Sequence, residues 1–153
     1  MPRILVCSDS HRRADLLALA YDQQPKAEVL VFLGDGLGDA ALFRSSGKTH
    51  YIVRGNCDGN APEPLWQEFT LAGKKIICTH GHVCGMKFSP DELLRHAKDK
   101  GADLALYGHT HVPRIDYTDS IHLFNPGAIM AGEYGFVDIT SAGIVCRNLR
   151  VRR

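Results

Sequence analysis

Side chains that bind metal ions follow five separate apolar segments of the sequence. In each place a short apolar run ends, and an aspartate, asparagine or histidine follows within three residues. The seven side chains of this kind are Asp9, His11, Asp35, Asn56, His80, His109 and His111. The carboxyl ends of buried strands lie side by side in an open α/β sheet, and ligands bind outside those ends. Such a donor set approaches what two octahedral metal ions need once water and a shared ligand are added.

Two of these motifs contain a closely spaced pair of donors. Asp9 and His11 are separated by one residue, as are His109 and His111. If the chain stays extended after the strand, both members of a pair point in the same direction. Two ions then need a shared ligand, and Asp35 is the best candidate because a carboxylate offers two oxygens.

The chemistry of the donors indicates which metals and which substrates fit. Asn56 adds a neutral oxygen, and His80 adds an imidazole. A mixed, imidazole-rich set suits manganese, iron, zinc, cobalt or nickel better than calcium. Two divalent ions, the carboxylates of Asp9 and Asp35 and a bridging hydroxide leave a small positive charge. That charge favours an anionic substrate such as a phosphate ester.

A structural zinc site is an alternative use of some of these residues. Cys78, His80, His82 and Cys84 alternate along the chain. Paired ligands of structural zinc are usually separated by two or more residues, and an alternating strand would spread the donors along a line. We expect the two-metal site instead, with His80 as the ligand because it directly follows the strand, and with His82 as the alternative.

Length and composition place the chain among globular proteins. It has 153 residues, of which 44% are apolar and 23% charged, and we expect one domain over residues 1–153. The net charge of +1 gives no reason to expect nucleic acid or an acidic membrane as a partner. No apolar stretch approaches the ~20 residues of a membrane span, and the apolar run at the start is too short for a signal peptide. The scattered cysteines fit a reduced, cytoplasmic protein.

Strands and helices alternate in the first part of the chain. We predict strands over residues 3–7, 28–33 and 50–53, with helices over 13–24 and 39–46 between them. This order is typical of a parallel α/β unit.

The later part of the chain has more hairpins. We predict hairpins over 68–78, 114–124 and 135–149 and a helix over 89–100. Ser89 and Glu92 are placed to form a capping box at the start of that helix. The hairpins suggest an antiparallel second half. The predicted fold class is α/β, with two mixed β-sheets stacked face to face and flanked by helices.

Five motifs together carry a resemblance to a known family. They are Ser8-Asp9-Ser10-His11, Gly34-Asp35, Gly55-Asn56-Cys57-Asp58, Thr79-His80-Gly81-His82 and Gly108-His109-Thr110-His111. The set resembles the calcineurin-like metallophosphoesterase superfamily, and within it the small prokaryotic phosphodiesterases of the YfcE type. Asn125-Pro126-Gly127-Ala128 is also similar to a motif of that branch.

The resemblance implies a division of the donors and a mechanism. Asp9, His11 and His111 would hold the first ion, Asn56, His80 and His109 the second, and Asp35 would bridge them. A bridging hydroxide would attack phosphorus, with Asp35, Asn56 and His109 as catalytic residues. Manganese is the favoured metal, and nickel, zinc, iron, cobalt or magnesium are alternatives.

One position departs from the pattern of the wider superfamily. Many members have a histidine where this chain has Cys57, and that histidine can donate a proton to the leaving oxygen. A thiol with a reference pKa of ~8.5 is a poor acid, so we expect diesters with good leaving groups or an acid from elsewhere, for example His82. Asp58 would have oriented the missing histidine, and Arg54 could contact phosphate.

Other functions remain alternatives to a phosphodiesterase. The retromer subunit VPS29 resembles this fold and is a protein-binding scaffold, but its counterparts of Asp35 and Asn56 are replaced, whereas both residues are present here. A phosphomonoesterase is the other alternative. The expected partner is a small phosphate ester rather than a membrane or nucleic acid, and open sheet edges make a homodimer reasonable.

Overall fold

A computed structural model describes residues 1–153 and contains two five-stranded sheets. The first sheet consists of β1 (Arg3–Cys7), β2 (Val29–Phe32), β3 (Thr49–Ile52), β9 (Glu133–Thr140) and β10 (Gly143–Arg150). Their order is β10-β9-β1-β2-β3. Strand β1 is parallel to β2 and antiparallel to β9, so the sheet is mixed.

The second sheet is also mixed. It consists of β4 (Trp66–Leu71), β5 (Lys74–Thr79), β6 (Leu104–Leu106), β7 (Arg114–Thr118) and β8 (Ile121–Asn125), in the order β4-β5-β6-β8-β7. The predicted hairpins are confirmed, because β4–β5, β7–β8 and β9–β10 are antiparallel pairs. The later part of the chain also contains parallel pairing, since β6 is parallel to both β5 and β8, and the β9–β10 hairpin joins the first sheet. Strand β8 is largely buried and takes an inner position, whereas the exposed β7 lies at the edge.

Three α-helices and two short 3₁₀ turns complete the chain. The helices are α1 (Ala14–Asp22), α2 (Ala41–Arg44) and α3 (Asp91–Lys100), and the turns are His82–Cys84 and Ile129–Ala131. The predicted capping box does not form at α3. Instead, the Ser89 hydroxyl accepts a hydrogen bond of 3.1 Å from the N–H of Asp91. None of these helices has the length and apolar character that crossing a bilayer requires.

Three apolar clusters hold the layers together. The first lies between the sheets and includes Val6, Val31 and Leu106. The second packs α1 against the outer face of the first sheet, and the third packs α3 against the outer face of the second sheet. The predicted sandwich of two stacked mixed sheets flanked by helices is therefore confirmed.

Candidate metal centre

The loops that follow β1, β2, β3, β5 and β6 meet at one edge of the sandwich. Backbone hydrogen bonds join them directly, including Asp9 N–H to Gly34 O at 2.9 Å, His11 N–H to Asp35 O at 3.1 Å and Gly108 N–H to His80 O at 2.8 Å. The loops approach so closely that a Cβ on residue 55 would overlap Asp35 Oδ1, so only glycine fits there. The predicted convergence of the strand ends is present.

The backbone of five of the seven donor residues is left-handed rather than extended. The φ angles are +55° at Asp9, +42° at His11, +61° at Asp35, +69° at His109 and +62° at His111. The extended pairs expected from the sequence are therefore wrong. Left-handed backbone is uncommon for residues other than glycine, and it clusters at sites where the surrounding structure compensates its cost. Here it turns the chain sharply after β1, β2 and β6.

The first group of donors centres on Asp9, which is fully buried. The Ser8 hydroxyl and the N–H of His109 donate to Asp9 Oδ2 at 2.5 and 3.1 Å. Those bonds leave Oδ1 facing the imidazoles, 3.1 Å from His111 Nε2 and 3.6 Å from His11 Nε2. The three side chains each offer a ligand atom within 4.8 Å of the others.

A second group joins Asp9 to Asp35 and His80. Because the Leu33 carbonyl only accepts, His80 Nδ1 donates to it, at 2.6 Å. This bond directs His80 Nε2 to a point 3.3 Å from Asp35 Oδ2 and 3.8 Å from Asp9 Oδ1. The ring is fully buried, and its Nε2 has no hydrogen-bond partner. A metal-binding histidine commonly donates a hydrogen bond from its other ring nitrogen to a carbonyl, which fixes the orientation of the ring.

The pKa values in this group reflect close charge contacts. Burial raises the pKa of Asp35, but the His80 ring and the N–H of Cys57 outweigh burial and hold it below its ordinary value. Burial lowers the pKa of His80, but the carboxylates of Asp35 and Asp9 outweigh burial and raise it. For His109, burial and then the charge of His80 lower the pKa.

These residues fit divalent metal ions. Asp9 and Asp35 are 0% and 3% exposed, and a carboxylate oxygen of each lies within 4.8 Å of the other. Two buried carboxylates at such a separation repel each other unless a cation lies between them. The unpartnered Nε2 atoms of His80 and His11 offer lone pairs at the same place, and mixed imidazole and carboxylate ligation suits transition metals.

The remaining two predicted ligands lie beside these groups. The His109 ring is 5.0 Å from the His80 ring, measured between centroids. Asn56 is exposed, and its amide donates to Cys57 Sγ at 3.5 Å. Sequence reasoning did not foresee that Cys57 Sγ would lie within 4.8 Å of donor atoms of His11 and Asp35. Its position directly after Asn56 was the available signal.

Asp58 organises the loops of the site. Its carboxylate accepts backbone N–H bonds from residues 35, 36, 37 and 55, at 2.7, 3.0, 3.3 and 2.6 Å. With Cys57 in place of a histidine that Asp58 would have oriented, the carboxylate supports the backbone of both loops. Arg54 Nη1 donates to the Ala61 carbonyl at 2.9 Å and so supports the loop before β4. His82 lies beside His80, with 5.4 Å between ring centroids, and its Nδ1 is unpartnered.

The alternative zinc site does not form. Cys78 packs in the cluster between the sheets, whereas Cys84 packs on the opposite face with α3. Cys84 Sγ donates to the Gly81 carbonyl, and burial raises its pKa to about 11. The two sulfurs therefore cannot converge on an ion with His80 and His82, and that alternative was wrong.

Substituting His80 should show whether this histidine binds metal with Asp9 and Asp35 or with the neighbouring cysteines. We expect His80→Ala to lose bound metal, because it removes the buried Nε2 that lies 3.8 Å from Asp9 Oδ1 and 3.3 Å from Asp35 Oδ2. Cys84→Ala is the matched control, and its metal content should not change. The measurement is metal content by plasma mass spectrometry after loading with manganese and dialysis. Equal loss of metal in both variants would contradict the assignment.

Comparisons with known proteins agree with this geometry. A family model described as a calcineurin-like phosphoesterase superfamily domain matches residues 2–142. Phosphodiesterase YfcE of Escherichia coli (strain K12) is 27% identical, over an alignment that covers 97% of this chain and 94% of YfcE. A predicted phosphoesterase from Streptococcus pneumoniae TIGR4 has a solved structure with 29% identity and a TM-score of 0.86, and the match covers 97% of this chain and 89% of that one.

The fold is also shared with a protein of a different name. Vps29 of Chaetomium thermophilum superposes with a TM-score of 0.80 at 18% identity, over 99% of this chain and 98% of that one. At that identity the likeness extends to the fold alone.

Proposed function

The chain belongs to the calcineurin-like phosphoesterase superfamily and is a metal-dependent phosphoesterase, and on that premise we propose that it hydrolyses phosphodiesters with two divalent metal ions. The observation that carries the proposal is the convergence of buried Asp9 and Asp35 with imidazole nitrogens of His11, His80 and His111. This arrangement offers ligands on both sides of a shared carboxylate.

The ligand assignment rests on these contacts. We propose one set of Asp9, His11 and His111, a second set of Asn56, His80 and His109, and Asp35 between them. Between His80 and His82, the direct approach of His80 Nε2 to Asp35 supports His80. Bound ions would supply Lewis acidity and would lower the pKa of a coordinated water. Manganese is the proposed metal because carboxylate, amide and imidazole donors all suit it.

The residue at position 57 supports substrates with good leaving groups. Burial and then the Asp35 carboxylate raise the pKa of the Cys57 thiol, so it is a weak proton donor to a leaving oxygen. Esters with good leaving groups need little protonation of the leaving oxygen, whereas alkyl esters depend on it. The likeness to a protein named phosphodiesterase supports the same substrate class.

The setting of the protein is part of the proposal. All five cysteines are free, which supports a reduced cytoplasmic environment. The exposed edge strand β7 offers a surface for a homodimer. We propose a small phosphate ester, rather than a nucleic acid or a membrane, as the partner of the site.

Metal reconstitution tests the proposed function. The protein is stripped of metal and reloaded separately with manganese, nickel, zinc and magnesium. Hydrolysis of bis(p-nitrophenyl) phosphate is then compared with hydrolysis of p-nitrophenyl phosphate by release of p-nitrophenolate. We expect manganese to restore activity and the diester to be the faster substrate. Faster turnover of the monoester would favour a phosphatase, and no hydrolysis with any metal would favour a protein-binding scaffold.

A further inference from the structure

A cavity of about 450 Å³ opens beside His11 and Asp35. Its other wall is formed by Arg12, by the segment 36–39 and by residues 57 and 58. This volume lies within the range of small-molecule sites and exceeds what a single phosphate group requires. A substrate whose scissile phosphate contacts the metal ligands therefore has room to extend towards Arg12.

Arg12 is the only arginine or lysine side chain that lines this cavity, and it has no partner. Its guanidinium makes no hydrogen bond and no ion pair, whereas the adjacent Arg13 pairs with Asp15 at 2.9 Å. Arg54, at the base of the neighbouring loop, is also engaged, through the Ala61 carbonyl. An unpaired guanidinium at the mouth of a cavity is available to a ligand.

The backbone of Arg12 is held in an unusual conformation. Its φ angle is +72°, in the left-handed region that arginine rarely adopts. Its N–H donates to Asp39 Oδ2 at 3.0 Å, and the same oxygen accepts the Ser10 hydroxyl at 2.6 Å. Asp39 therefore fixes the loop on both sides of His11 and keeps Arg12 at the cavity wall at a cost in backbone strain.

The carboxylates near Arg12 are already engaged by other groups. Asp58 accepts four backbone N–H bonds, and Asp39 accepts two donors. Asp35 belongs to the metal-binding group. The guanidinium is thus the charged group of the cavity wall that has no hydrogen-bond partner, and guanidinium groups bind phosphate through two parallel hydrogen bonds.

We propose that Arg12 forms a subsite for a second phosphate group, so that the preferred substrate is a phosphodiester with a further phosphate near the scissile one. This inference rests on the proposed function for the placement of the scissile phosphate. It assigns Arg12 as a residue that determines substrate specificity.

Calorimetric binding of two nucleotides tests the subsite without requiring turnover. Thymidine 3′,5′-bisphosphate and thymidine 5′-phosphate are titrated into the manganese-loaded protein. We expect the bisphosphate to bind about tenfold more tightly, as one charged hydrogen-bonded contact allows. Arg12→Gly should abolish that preference and should still fold, because glycine adopts a positive φ without strain. Melting temperatures verify folding of the variants.

Arg13→Ala is the matched control, since it removes the same charge one residue away and outside the cavity. It should keep the preference. Equal affinities for the two nucleotides in the unmodified protein, an unchanged preference in Arg12→Gly, or equal losses in both variants would each overturn the subsite. Because binding is measured directly, a protein that binds the bisphosphate but hydrolyses no diester would refute the proposed function and leave the subsite standing.

Discussion

Replacing Asp35 by asparagine is expected to lower kcat/KM for bis(p-nitrophenyl) phosphate by about 10³-fold or more. The amide keeps the shape of the side chain but loses the charge that a shared ligand of two cations needs. Metal ions contribute several kcal/mol to stabilisation of the transition state, and each ~1.4 kcal/mol corresponds to a factor of ten in rate. Steady-state kinetics at saturating manganese measures the effect.

Stability should change much less than activity in this variant. Asparagine loses the contact with His80 but also removes the repulsion between two buried carboxylates, so these effects oppose each other. Asp103→Asn is the matched control, because Asp103 accepts a backbone N–H at 2.9 Å much as Asp35 accepts that of Cys57 at 2.8 Å. The control should retain activity. Near-normal turnover of Asp35→Asn with its full metal content would refute Asp35 as the shared ligand.

The strands of the fold and the end of α3 at Lys100 could be predicted from sequence, but the end of α1 could not. Strand β1 has the predicted bounds of residues 3–7 because an unbroken apolar run there is buried. Helix α1 ends at Asp22 rather than at the predicted residue 24. The Gln24 N–H donates to the Tyr21 carbonyl in a 3₁₀-type bond, and the following Pro25 cannot continue the helix. A periodic pattern alone does not show where the α-helical hydrogen bonds give way to such a turn.

The position of the metal centre was predictable for a similar reason, whereas its local geometry was not. Apolar runs predict which strand ends meet, and hence the meeting of Asp9, Asp35 and His80. They contain no information on the left-handed turns that aim the donors. They also do not show which polar side chain accepts hydrogen bonds from the backbone N–H groups of a neighbouring loop. For this reason the contacts of Asp58 were missed.

Asp58→Ala is expected to be the most destabilising of the proposed substitutions and to impair activity as well. The substitution removes the acceptor of four backbone N–H groups, which belong to two loops that are far apart in the sequence. Since Asp58 is partly accessible to water, we expect a loss of about 3 kcal/mol in the free energy of unfolding. For a chain of this size that loss corresponds to a fall of about 10 °C in Tm. Thermal unfolding of the metal-free protein measures it.

The loss of activity should exceed what unfolding explains at the assay temperature. Asp58 accepts a hydrogen bond from the N–H of Asp35, the proposed shared ligand, and residues that orient metal ligands typically contribute 10–100-fold to activity or metal affinity. Asp58→Asn is the informative comparison, because its single amide oxygen still accepts from part of the set and should give an intermediate Tm and rate. If Asp58→Ala kept its Tm but lost activity, Asp58 would act directly on the substrate, and its assignment as the support of both loops would be wrong.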